Sequence, residues 1–322
     1  MGRCAATLGI GLKGSVTIEL ERPVYWPGDT VAGHVTLRVH QPIETKAFEL
    51  AVIGEEALTW TTRHKNGSSG TRTMYHERQR YLLDIRLVLA PPGRFTPGDY
   101  VFPFALVLPA GLPSSLAYRN SYVSGMRDVD GSVSYRVKTW LPVHGMFKAD
   151  LLTERSIAIL SRPPVQPQLV QANFTRKVDF LGLFNKGQCA VTSTLISDVL
   201  TVGQVAEIQC HIHNSSKKRL QYIRACILQD VDLLPGDSWS GGGDVRRINI
   251  KEYPGLDPGQ ASLTVCQVSI TPNGRFTGAA YLEPSFQGKF LSIKYYLQVK
   301  CKYALSPSAT IKIPITIVPA GA

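Results

Sequence analysis

Short apolar runs that alternate with polar residues make up most of the chain. The stretch from Ser15 to Glu21 alternates Val16, Ile18 and Leu20 with polar neighbours, and a period of two indicates a strand with one buried face. Runs of the same kind predict further strands at Val31–Val39, Lys46–Ile53 and Tyr81–Leu89. The polar stretch from Gly54 to Gln79 predicts a long hairpin arm with a mobile tip.

One turn-and-strand pattern occurs twice. The segments VYWPGDTVAGHVTL and LTVGQVAEIQCHI align on Gly28 and Gly203 without a gap. Gly28 suits a tight turn because glycine adopts a positive φ without steric penalty. Apolar residues then fall at equal offsets in the two copies: Val35 with Cys210, Leu37 with Ile212, Phe48 with Ile223, Leu50 with Ala225 and Val52 with Ile227. The shared register indicates a duplicated domain.

Each half of the chain is predicted to be a meander of seven or eight short strands, the pattern of a β-sandwich. The predicted fold class is therefore all-β, with one immunoglobulin-like sandwich over residues 1–163 and a second over 164–322. The proline-containing segment SRPPVQPQLVQ joins them. Pro103 predicts an edge strand or a bulge because proline cannot donate to a ladder. The motif Asp128-x-Asp130-Gly131 predicts a turn.

Composition agrees with two domains of many strands and turns. The 322 residues are 44% hydrophobic and include 28 Gly and 21 Pro, which is enough apolar material for two cores. No apolar run is long enough to span a bilayer, and the first residues lack a secretory h-region. We therefore expect a cytoplasmic protein whose six Cys are free thiols, five of them in strand-like runs.

Several stretches, in order along the chain, resemble the arrestin fold. These are VYWPGDTVAGHVTL, GEEALTW, FPFALVLPAGLPSS, GSVSYRVKTWL and VTSTLISDVLTVGQVAEIQCHIHNSSKKRLQYIRACILQ. The sequence is most similar to the alpha-arrestins, also called arrestin domain-containing proteins. The resemblance implies a non-catalytic adaptor that binds cytoplasmic tails of membrane receptors or transporters in endocytic trafficking, sorting or signalling, at the plasma membrane or endosomes. It also implies a link to ubiquitin ligases, although no Pro-Pro-x-Tyr motif for WW domains occurs in these residues.

Charge narrows the choice of partner. The formal net charge of +11 favours acidic partners such as anionic phospholipids, inositol phosphates, or acidic and phosphorylated tails. No nucleic-acid-binding signature accompanies the basic residues, so nucleic acid is not expected. Lys217, Lys218 and Arg219 resemble a segment of the basic patch by which arrestins bind inositol phosphates, and they are the predicted anionic contact. Replacing all three by Ala is expected to weaken vesicle binding without loss of stability.

Two further contacts are predicted near the start of the chain. Lys13 and Arg22 stand at the ends of the first strand, where they would meet a cargo tail that adds to a free sheet edge. Gly2 and Cys4 have the arrangement used for myristate plus palmitate, although Ala6 stands where that pattern prefers Ser or Thr.

No catalytic, cofactor or metal site is predicted. His211 and His213 share one face of a strand, but a structural zinc needs about four ligands and no second pair stands nearby. Three other interpretations stay open. They are a retromer-type cargo-sorting subunit with the same fold, a secreted adhesion module whose cysteines would be paired, and an enzyme with an unrecognised polar site.

Overall fold

A computed structural model of the chain describes residues 13–65, 71–144, 149–161, 166–180, 184–234, 242–271 and 282–320. Within these ranges the chain forms strands and no α-helix. The first half contains β1 (Gly14–Leu20), β2 (Val24–Tyr25), β3 (Thr30–Val39), β4 (Ile43–Thr45), β5 (Phe48–Lys65), β6 (Thr71–Ala90), β7 (Gly93–Phe95), β8 (Gly98–Val107), β9 (Leu116–Val123), β10 (Met126–Leu141) and β11 (Leu151–Ile159).

The second half has a similar but not identical set of strands. It contains β12 (Val170–Phe180), β13 (Phe184–Leu195), β14 (Val199–Thr201), β15 (Val205–Ser216), β16 (Leu220–Leu233), β17 (Gly242–Pro254), β18 (Ala261–Ser269), β19 (Phe286–Gln287), β20 (Leu291–Tyr303) and β21 (Ala309–Val318). If strands of two or three residues are left out, the described part of each half has eight strands. The prediction of seven or eight is met by these longer strands.

The sheet order shows the duplication directly. In the first half the sheets run β1-β3-β8 and β2-β11-β10-β5-β6, with β9 on β10 and a small β4-β7 pair. In the second half they run β12-β13-β15-β18 and β14-β21-β20-β16-β17, with β19 on β20. The short strands β2 and β14 each pair in parallel with the last strand of their half. The predicted all-β fold of two sandwiches is confirmed.

Period-two burial builds both cores. The ten apolar residues matched by the sequence repeat, among them Leu37 and Ile212, are each no more than 1% exposed. Along β15 every second side chain is buried and every other one is exposed, because successive side chains of a strand point to opposite faces. Apolar alternation in the sequence therefore predicted the core-facing positions correctly in both halves.

The two aligned glycines occupy the same conformation. Gly28 has a φ of 90° and Gly203 a φ of 97°, and no atom lies within 4 Å of a Cβ added at either position. The cost of a side chain there is therefore backbone strain alone, about 1 to 3 kcal/mol per site.

We expect Gly203→Ala to lower the free energy of unfolding by about 1 to 3 kcal/mol, measured by urea denaturation. Gly243→Ala is the control, because Gly243 has no positive φ and an added Cβ would lie 3.5 Å from the nearest atom. Equal stabilities of the two variants would show that the turn does not require glycine.

Three local predictions have different outcomes. Strands β5 and β6 form the predicted arm, whose tip at 66–70 lies outside the described residues. Pro103 lies in β8, at the edge of its sheet, as predicted. The turn predicted at Asp128 is wrong, because this segment lies inside β10. Asp128 has a φ of 49°, which bends the strand without reversing it, and its carboxylate accepts a 2.9 Å hydrogen bond from Thr61.

Contacts divide the chain into two compact units. The first contains 1–57, 77–117 and 131–161, and the second contains 58–76, 118–130 and 162–322. The predicted boundary between residues 163 and 164 lies within 162–165, outside the described residues, and stays a prediction.

The described cysteines are free and buried, as the sequence predicted: Cys189, Cys210, Cys226, Cys266 and Cys301. Where the structure describes the chain, no helix has the length and hydropathy that crossing a membrane requires.

Candidate anion-binding face

One face of the sheet β14-β21-β20-β16-β17 carries closely spaced cations. Along β20 the odd-numbered side chains from Leu291 to Tyr303 are buried, so the even-numbered ones, including Lys300 and Lys302, lie on the other face. The register continues this face across the neighbouring strands, with Arg224 opposite Lys300 and Lys312 opposite Gln298. Arg247 of β17 lies opposite Leu228 of β16, so it lies on the same face. Lys294 also lies on this face of β20, but it pairs with Asp232 at 3.3 Å. We call the other five cations of this surface the basic face: Arg224, Arg247, Lys300, Lys302 and Lys312.

The basic face places like charges together. Arg224 of β16 is the direct cross-strand neighbour of Lys300, an arrangement that destabilises a sheet. Arg224 is already paired, since its guanidinium donates two hydrogen bonds of 2.6 and 2.9 Å to the Glu252 carboxylate. It also lies over the Tyr222 ring, 5.1 Å from the centroid. The other four cations form no ion pair within the described ranges, so positive charge is left uncompensated.

Three of these cations, Arg247, Arg224 and Lys300, act on one buried thiol. Cys226 is fully buried on this face and its Sγ donates to Gln298 Oε1 at 3.8 Å. Burial raises the pKa of the Cys226 thiol, and the positive charges of Arg247, Arg224 and Lys300 oppose part of that shift. With a raised pKa the thiol stays protonated at neutral pH and is not a nucleophile. The chemistry of this face is therefore charge, suited to phosphate or carboxylate groups.

The exposed face of the other unit has compensated charges. On the sheet β1-β3-β8, Arg38 donates to both Asp99 oxygens at 3.0 and 3.1 Å. The His34 and Glu19 side chains lie 3.1 Å apart on the same sheet. The Arg38–Asp99 pair leaves no net charge to attract an anion. The uncompensated basic face is therefore the better candidate for anion binding.

The three cations predicted from the sequence differ in their availability. They lie in the turn that leads into β16. Lys217 is exposed, whereas Arg219 lies 3.2 Å from the Asp257 carboxylate. The Lys218 ammonium donates to the carbonyls of Ala304 at 2.9 Å and Asp179 at 3.4 Å. The assignment of all three to an anion site stays a prediction.

Lys218 has a structural role, and this changes one expectation. We expect Lys218→Met to lower the free energy of unfolding by about 1 to 2 kcal/mol, because it removes charged hydrogen bonds to backbone carbonyls. The exposed Lys217→Met is the matched control and should change stability by less than about 0.5 kcal/mol. The triple alanine variant would then lose stability as well as charge. Equal urea midpoints for the two single variants would contradict this role.

The predicted cargo contacts lie at the two ends of β1. The Lys13 carbonyl accepts hydrogen bonds from the backbone of His40 and Gln41 at 2.8 and 3.3 Å. Arg22 lies 2.6 Å from the Asp29 carboxylate and 4.8 Å over the Tyr25 ring, so its charge is largely occupied. Gly2 and Cys4 lie outside the described residues. Among the described residues, the sheet that contains β1 shares no strand with the sheet of the basic face.

His211 and His213 are exposed on one face of β15, as predicted. In the described part of the chain, no group of three or more His, Cys, Asp or Glu side chains could hold a metal ion.

The sequence did not reveal the basic face. Its members are up to 88 positions apart, from Arg224 to Lys312, and the register between strands brings them together. The available local signal was Lys300-x-Lys302, two cations at a spacing that puts both on the same side of a strand. The sequence pattern instead favours the consecutive cations Lys217, Lys218 and Arg219, which lie in the turn before β16.

Comparisons with known proteins give a consistent family signal. Residues 15–160 match the family described as "Arrestin (or S-antigen), N-terminal domain". Residues 185–320 match "Arrestin (or S-antigen), C-terminal domain". Each matched range corresponds to one of the two halves that the duplicated sheet order defines.

Individual relatives are similar over most of this chain. "Arrestin domain-containing protein 1" of Rattus norvegicus is 26% identical over 309 residues, which are 94% of this chain and 63% of the relative. "Arrestin domain-containing protein 4" of Homo sapiens is 25% identical over 70% of this chain and 54% of its own length. "Arrestin domain-containing protein A" of Dictyostelium discoideum is 23% identical over 95% of this chain and 51% of its own. The chain thus spans less than two thirds of the length of each of these relatives.

Proposed function

This chain belongs to the arrestin family and is homologous to the arrestin domain-containing proteins, and we propose that it is a non-catalytic adaptor for the cytoplasmic tails of membrane proteins. Its proposed setting is endocytic trafficking, sorting or signalling, at the plasma membrane or endosomes. The observation that supports this most is the basic face. Four of its cations form no ion pair with any described residue, and they suit anionic headgroups, inositol phosphates or phosphorylated tails.

We expect the basic face alone to attach only weakly to a membrane. Each cation near an anionic leaflet contributes about 1 kcal/mol, so four together give an association that is useful only when a second contact adds to it. Lys217, exposed in the turn before β16, would extend the same interaction. The proposed acylation of Gly2 and Cys4 is another source of membrane affinity.

The proposed contact for a cargo tail is the free edge of β1. Strand β1 is the outermost strand of its sheet, and an extended peptide can add to such an edge through main-chain hydrogen bonds. Part of this edge is occupied, because Arg155 Nε donates to the Ile18 carbonyl at 3.4 Å. A tail would therefore displace Arg155, whose guanidinium could then meet an acidic residue of the tail. Lys13 at the start of β1 would supply a second cation.

Proximity labelling in cells, with this chain as bait, tests the proposal. We expect labelled receptors, transporters and ubiquitin ligases, and we expect fewer labelled membrane proteins when Arg247, Lys300, Lys302 and Lys312 are all replaced by Gln. A stable coat complex without any ligase would instead support the retromer-type alternative. Labelling without any membrane protein or trafficking factor would overturn the adaptor proposal.

A further inference from the structure

Strand β18 is an edge strand without the usual protection. It is the last strand in the order β12-β13-β15-β18, and its sequence ASLTVCQVS contains no charged residue and no proline. Natural edge strands are normally blunted by charges, proline or shortness, because an open edge pairs with other chains. In the described part of the chain, every other edge strand longer than three residues has a charge: β1, β6, β8, β9, β12 and β17.

One end of this edge is covered by side chains. The Tyr253 hydroxyl donates to the Gln267 carbonyl at 3.0 Å and accepts from the Gln267 N–H at 2.6 Å. Asn249 Nδ2 donates to the Ser269 carbonyl at 2.7 Å. These contacts imitate a neighbouring strand. They also show that the backbone groups of Gln267 and Ser269 point away from β15.

The other end of the edge is open. Backbone direction alternates along an antiparallel strand, so the N–H and C=O groups of Ala261, Leu263 and Val265 point the same way as those of Gln267. The described residues provide no hydrogen-bond partner for these groups. The side chains of Leu263 and Val265 are 54% and 46% exposed beside them. What fits here is a short extended chain with small or apolar side chains.

We propose that the occupant is β18 of a second copy, paired antiparallel about Leu263. In this register Leu263 lies opposite the same residue of the partner and Ala261 lies opposite Val265. All three positions have outward backbone groups, so the pairing forms about six hydrogen bonds. No like charges meet, because the strand is uncharged, and the apolar side chains form one continuous row. The contact is isologous, as a two-fold dimer requires.

Ionic strength separates this contact from anion binding. Each copy has a net charge of +11, so two copies repel at long range and added salt screens that repulsion. Dimerisation should therefore strengthen as salt rises. Binding of anions to the basic face should weaken under the same change.

Sedimentation equilibrium of the full chain is the first test. Leu263→Pro removes an N–H that has no partner among the described residues, and in the proposed register it abolishes both central hydrogen bonds. We expect the dimer dissociation constant to rise about tenfold or more, with the fold retained because edge strands tolerate proline. Leu263→Ala keeps the N–H and should have a smaller effect. If Leu263→Pro fails to fold, Leu263→Lys replaces it, with Thr194→Lys of the inner strand β13 as control.

Disulfide formation tests the register. With oxidised glutathione as the oxidant, Leu263→Cys should give a covalent dimer, because directly opposite residues of a strand pair are about 5.5 Å apart. Val265→Cys should not crosslink with itself, since two equivalent copies would be offset by four residues along the strand. A mixture of the Val265→Cys and Ala261→Cys variants should crosslink.

A chain that sediments as a monomer at all concentrations and salts would overturn the inference, as would a dimer unaffected by Leu263→Pro. Crosslinking of Val265→Cys with itself would overturn the register. These results are independent of the adaptor proposal, because Leu263→Pro leaves the basic face intact and should leave vesicle binding unchanged.

Discussion

Replacing Arg136 by Met is expected to lower the free energy of unfolding by about 3 kcal/mol. The Arg136 guanidinium lies 2.5 Å from Glu55 Oε2, and the Glu55 side chain is only 8% exposed. The hydrogen bond to Glu55 raises the pKa of Arg136, so the arginine is charged at any relevant pH. Removal of the guanidinium leaves a buried carboxylate without its main partner. The loss is at the lower end for buried pairs because Arg136 is itself 27% exposed.

Two controls make this result specific. Arg86 pairs with Asp84 at 2.9 Å, but its side chain is 60% exposed, so Arg86→Met should cost less than about 1 kcal/mol. The double variant Glu55→Gln with Arg136→Met removes both charges and should recover part of the loss. Urea denaturation measures all four proteins. A cost for Arg136→Met equal to that for Arg86→Met would show that the buried carboxylate is solvated or paired in another way.

The fold was predictable because its information is local and repeated. Alternation along a strand such as β15 identifies the buried face without knowledge of the neighbouring strands. The repeat in the second half of the chain supports the strand assignment in the first half, since Leu37 and Ile212 are matched by the sequence and both are buried. Shorter features were less predictable. Asp128 and Gly131 are residue types that favour turns, but strand pairing along β10 overrides that preference.

The candidate site could not be predicted in the same way. Cations at Arg224, Lys300 and Lys312 become neighbours only through the register of β16, β20 and β21. A shift of one residue in any of these pairs would turn its cations to the opposite face. Lys218 shows the opposite case, in which a cation that the sequence assigns to a ligand has a structural role. Its charge indicated a ligand contact, while its position allows hydrogen bonds to the Ala304 carbonyl that no sequence pattern identifies.

Replacing Arg247, Lys300, Lys302 and Lys312 by Gln is expected to weaken binding to phosphatidylserine-containing vesicles about a thousandfold. Each cation contributes about 1 kcal/mol at an anionic surface, and about 1.4 kcal/mol corresponds to a tenfold change in affinity. The control variant replaces four cations elsewhere in the same unit: Arg176, Lys177, Lys186 and Lys251. Both variants lower the net charge from +11 to +7, since each loses four positive charges. Vesicle co-sedimentation compares them.

Stability should respond in the opposite direction to binding. Lys300 lies directly opposite Arg224, and like charges at such positions destabilise a sheet by about 0.2 to 1 kcal/mol. Neutralising Lys300 therefore removes repulsion, so the variant should unfold at an equal or higher urea concentration although it binds vesicles poorly. A residue kept for stability would show a loss of both properties. If the control variant lost as much vesicle binding as the basic-face variant, net charge alone would explain the attraction and the basic face would not be a site.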